Sequence, residues 1–217
     1  MYLQTLGTIS DHLMRRGFSR IDSFSYVLTS RGSHLGYTIT LSASSKTELI
    51  SGRFGAHECS VQDFVLRMLL RYEDDGYRHI FSDMRLSILT WPIAWRLEDS
   101  ESTSWNFPAD FLQGADQNKL EMLFSGVFEV FAKMDSLSTF YDFLCSNSIG
   151  TEWKRSNCAV RVATLVGLGV SLGYSVQKIE SDALKNEVVG MRTSVKKYLT
   201  YAIADALNEC PSGGAHK

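Results

Sequence analysis

The apolar residues of this chain follow two different periods in its two halves. Tyr37, Ile39 and Leu41 alternate with Thr38, Thr40 and Ser42, the period of a strand with one face in a core. From residue 116 the apolar residues recur every three or four positions. Leu120, Leu123, Phe124, Val127, Phe128 and Phe131 form one stripe, with Glu129 and Lys133 outside it, as on an amphipathic helix. Strands first and helices after reads as α+β: a small antiparallel sheet in the N-terminal half packed with a helical C-terminal half. The expected organisation is one domain over 1–210, strand-rich about 18–107 and helical about 116–209, with 211–217 as a flexible tail after Pro211.

Local signals refine this. Leu3, Leu6, Ile9, Leu13 and Met14 are spaced for a first helix that stops at Gly17. The turn-forming residues 31–36 join a strand over 23–29 to the alternating strand as a hairpin. Ser60 with Asp63 has the spacing of a capping box for a helix running towards Asp74-Asp75-Gly76. Leu86 to Trp91 is a short strand ended by Pro92, and a further extended piece lies around Trp105 and Phe107. Ser136 can cap a helix carrying Phe140, Tyr141 and Leu144. Residues 157–172 are apolar nearly all round, hence a central helix, and Val195 to Ala206 is the last one.

No motif in this chain carries recognisable chemistry. His57, Glu58 and Cys59 are adjacent, with His79 further on; adjacent residues diverge, on a strand or on a helix, so the triplet cannot chelate one ion as a unit. They read as loop residues before a helix. Ser33-His34 is adjacency, where a triad is built across a fold. Gly167-x-Gly169-x-x-x-Gly173 is neither a dinucleotide fingerprint nor a phosphate loop, and it reads as room for a neighbouring helix. Asp74-Asp75 and Glu98-Asp99 lie in polar runs without the burial that separates the pKa values of an acid–base pair. No cofactor or metal and no catalytic residue are expected. The N-terminus lacks an apolar signal core, the longest charge-free apolar stretch is too short to span a bilayer, and Cys59, Cys145, Cys158 and Cys210 form no paired motif. A cytoplasmic protein with reduced thiols and no membrane association is the expectation.

Charge is distributed unevenly. Residues 98–142 hold nine carboxylates (Glu98, Asp99, Glu101, Asp110, Asp116, Glu121, Glu129, Asp135 and Asp142) against Lys119 and Lys133, and residues 154–197 hold eight basic residues against three acidic ones. An acidic stretch carrying Trp105, Phe107 and Phe111 can steer and then anchor a basic partner, while it can also be a solvated outer face. The basic stretch sits on helices without interleaved aromatics, which speaks against nucleic acid as a partner.

The run His12-Leu13-Met14-Arg15-Arg16-Gly17-Phe18 places a basic pair and Gly-Phe between a helix and a hairpin. With Trp105-Asn106-Phe107 before a helix, and Lys133-Met134-Asp135-Ser136-Leu137 leading into Tyr141-Asp142-Phe143-Leu144, it resembles a bacterial α+β domain family of unknown function over residues 3–146. The chain departs from that pattern at Thr38 and Thr40, where tryptophan or asparagine is expected. The resemblance implies an immunity protein of a polymorphic toxin system, and it carries over no catalytic residue. The expected function is a protein-binding module that occludes the active site of a cognate basic toxin. Glu98, Asp99, Glu101, Trp105, Asp110 and Asp116 are the expected contact residues. A small enzyme with a dispersed site, or a regulatory subunit using the basic helices, stands as the alternative.

Overall fold

Residues 2–29, 35–44, 49–72, 90–92, 106–108, 117–146, 158–185, 187 and 190–209 are described by a computed structural model. It has the α+β fold expected: among the described residues, a six-stranded antiparallel sheet in the N-terminal half, with α-helices before and within it, and a helical C-terminal half. The chain divides into two compact units, Met1–Glu58 with Arg85–Ser136 and Cys59–Met84 with Leu137–Lys217.

The first unit holds the sheet. Helix α1 (Tyr2–Arg15) buries Leu6, Ile9 and Leu13, whereas Leu3 is 68% exposed and Met14 is also exposed. It ends where Gly17 adopts φ +91, with Gly17 N donating to Met14 O and Phe18 N to Leu13 O. This left-handed cap is open to glycine without the steric cost of a Cβ. The chain then forms β1 (Ser19–Arg20), β2 (Ser25–Thr29), β3 (Leu35–Ser44) and β4 (Leu49–Glu58), each antiparallel to the one before. The expected hairpin is thus β2–β3, and its turn, 30–34, lies outside the described residues.

Tyr37, Ile39 and Leu41 are buried as expected, but Gly36 and Thr38 on the opposite face of β3 are buried too. One cause is visible within the pairing. Gly36 stands opposite His57 of β4, and a Cβ on Gly36 would come within 2.6 Å of the imidazole. The ring occupies the place of the missing side chain.

Strand β4 is central. β3 pairs along one side, and β5 (Thr90–Pro92) and β6 (Asn106–Pro108) share the other. Helix α3 (Gln117–Ala132) completes this unit, with Leu120, Phe124, Val127 and Phe131 buried. Phe124 is fully buried, but Phe128 of the same expected stripe is only half-buried, with the Arg16 guanidinium 5.0 Å from its ring centre.

In the second unit α5 (Cys158–Ser171) is the axis, buried from Cys158 through Gly169. Around it pack α2 (Cys59–Tyr72), α4 (Leu137–Cys145), α6 (Val176–Lys185) and α7 (Arg192–Glu209). The glycines of α5 serve this packing. A Cβ on Gly167 would sit 3.0 Å from Val61 Cγ1 of α2, and one on Gly169 would sit 2.7 Å from Ile179 Cδ1 of α6. Gly173 ends the run in a left-handed turn at φ +72. Helix α6, which the periodicity does not announce, starts at Ser175, whose Oγ accepts from Lys178 N at 3.2 Å. Among the described residues no helix is long and apolar enough to cross a membrane. The expected end of α2 at Asp74-Asp75-Gly76 and the tail at 211–217 lie outside the described residues.

Candidate functional site

Register along β4 defines how the acidic stretch is attached to the sheet. Thr90, Trp91 and Pro92 stand opposite Gly55, Phe54 and Arg53, and Asn106, Phe107 and Pro108 stand opposite Ser51, Ile50 and Leu49. β5 and β6 therefore run in the same direction on one side of β4, as a single strand divided opposite Gly52. Residues 93–105 are inserted at that division. The two attachment points, Arg53 and Ser51, are two residues apart on β4, about 7 Å at strand rise. Proline closes both short pieces and removes a ladder donor from each.

Glu98, Asp99, Glu101 and Trp105 fall within this insertion, and Asp110 and Asp116 fall between β6 and α3. All six lie outside the described residues. Other carboxylates of the acidic stretch are described. Glu121 forms an ion pair with Arg16, just past the end of α1, while Glu129, Asp135 and Asp142 are exposed.

The triplet His57-Glu58-Cys59 is placed differently from the loop expected. His57 and Glu58 are buried at the end of β4, and Cys59 opens α2 on the surface. Burial lowers the His57 pKa, and the Glu58 charge opposes that only in part. Among the described residues no three His, Cys, Asp or Glu side chains gather as a metal site. His79, Ser33, His34 and the Asp74-Asp75 pair lie outside them. His12 is a second buried imidazole, stacked on Phe124 with centroids 5.7 Å apart. Its pKa is lowered by burial, with Glu121 opposing and Arg16 and Arg15 assisting.

The second unit gathers polar side chains that periodicity does not reveal. Tyr141 of α4 donates to Asp182 of α6 at 3.0 Å, and Lys178 reaches the same carboxylate at 2.5 Å. The Lys178 ammonium also lies 4.5 Å from the Tyr174 ring centre and 5.5 Å from that of Tyr141. Burial opposes ionisation of Asp182, yet the hydrogen bonds from Lys178 and Tyr141 outweigh it and hold the pKa below its ordinary value. Beside this group the Cys145 thiol is pushed up to about 12, by burial first and then by Asp182 and Asp142. A thiol that holds its proton at neutral pH is a poor nucleophile, so the cluster is suited to joining α4 to α6. Deeper in the unit, Arg161 of α5 pairs with Glu187, their side chains 3% and 0% exposed. Only the i,i+4 pair Lys178–Asp182 was legible in the sequence.

The lysines of the C-terminal helices do have aromatic company, contrary to expectation. Lys197 lies 5.1 Å from the Tyr198 ring centre and 5.7 Å from that of Tyr201, and Tyr201 stacks on Tyr72 of α2 at 4.3 Å and 6°. The rings come from the same helix, one and four residues on, and from α2, which is far from the basic stretch in sequence.

Comparison with protein-family models, with curated proteins and with solved structures finds no match to this chain.

Proposed function

We propose that the protein is a binding module whose partner is a protein, in concrete terms a cytoplasmic immunity protein that covers the active site of a basic toxin domain. One observation carries this reading: the acidic, tryptophan-bearing residues 93–105 are inserted into a sheet strand, with both attachment points on one side of β4. Attachment at two nearby points fixes where the segment leaves and re-enters the sheet, about 7 Å apart at strand rise. Carboxylates then steer a basic partner, and Trp105 supplies an aromatic anchor. The toxin would be one that acts on nucleic acid or nucleotides, because such sites are basic. No covalent step is involved, and inhibition is by occlusion.

The test is co-expression with the toxin-like product of a neighbouring reading frame. A one-to-one complex that co-purifies and abolishes toxin activity without turnover supports the reading. Multiple turnover of a hydrolase or nucleotide substrate, dependent on a single side chain, would replace it with the enzyme alternative.

A further inference from the structure

We draw no further inference here: the strongest candidate, the buried Arg161 guanidinium in the first turn of α5, already holds the Glu187 carboxylate of the same chain, with both side chains out of reach of solvent, and nothing in the structure shows an outside anion taking its place.

Discussion

Three glycines separate propensity from packing at the residue scale. Gly7 lies inside α1, and a Cβ there would meet nothing within 4 Å. Gly7→Ala should therefore raise unfolding free energy by about 0.5–1 kcal/mol, the helix propensity difference. At Gly169 the same gain is opposed by contact at 2.7 Å with Ile179, so overpacking of about 1–3 kcal/mol should win and the variant should be less stable. Gly167, at 3.0 Å from Val61, should fall between the two. Denaturant melts of the three variants check the order, and a stabilising Gly169→Ala would contradict the close approach of α6. Phe124 and Phe128 divide in the same way. Phe124→Ala should cost about 3–5 kcal/mol and Phe128→Ala clearly less, because only the first is fully buried. Protonation gives a further test. His12 and His57 both have pKa values below the ordinary 6.5, so below that pH the unfolded chain binds protons that the folded chain does not. Stability is then fully present above pH 6.5 and lost as pH falls towards the folded values. A His12→Phe, His57→Asn double variant should show a flatter pH dependence of unfolding free energy between pH 7 and 5. An unchanged slope would show that neither imidazole is buried neutral.

At the scale of elements, legibility followed the strength of the periodic signal. α1, β3, α3, α4 and α7 could be read because each carries a repeated apolar stripe, and α5 because it is apolar nearly all round. β4 could not: its sequence, Leu49 to Glu58, places Gly52 and Ala56 on the face of Ile50 and Phe54, where a readable strand would carry large apolar residues, and Gly55 on the other face. The strand is paired on both sides, and its His57 is fitted against Gly36 of β3. α6 escaped because Ile179 and Ala183 are its only buried residues. The Arg161–Glu187 pair escaped for a different reason, since an arginine inside an apolar run gives no sign of its partner. Glu187 lies between α6 and α7, and its carboxylate ties that connection to the central helix. Arg161 Nε has no hydrogen-bond partner among the described residues, so the pair is incompletely satisfied. Glu187→Gln should therefore destabilise by about 3–5 kcal/mol by leaving a buried guanidinium uncompensated, whereas Arg161→Met with Glu187→Leu should be close to neutral. Thermal melts decide between them. A near-neutral Glu187→Gln would mean that the guanidinium reaches water or another acceptor.

For the whole molecule, the two charge excesses are altered differently by folding. Among the described residues of the basic stretch, Arg161 is buried against Glu187 and Lys178 is paired with Asp182, and Lys185, Arg192, Lys196 and Lys197 are exposed. In the acidic stretch, Glu121 is paired with Arg16 and the remaining described carboxylates are exposed. The acidic character was legible in the sequence, because it needs only counting. Its attachment to the sheet was not, because β5 and β6 are each three residues long and their meaning lies in the register with β4. The binding reading stands most directly on association kinetics with the co-expressed toxin candidate, measured at about 0.05 M and 0.5 M salt. Association should be fast at low salt and slow by about tenfold or more at high salt. Reversing Glu98, Asp99 and Glu101 to lysine should remove most of that dependence, with little effect on stability. Trp105→Ala should act on dissociation. An association rate that the triple reversal leaves unchanged at both salt concentrations, with toxin neutralisation intact, would contradict docking through the acidic segment.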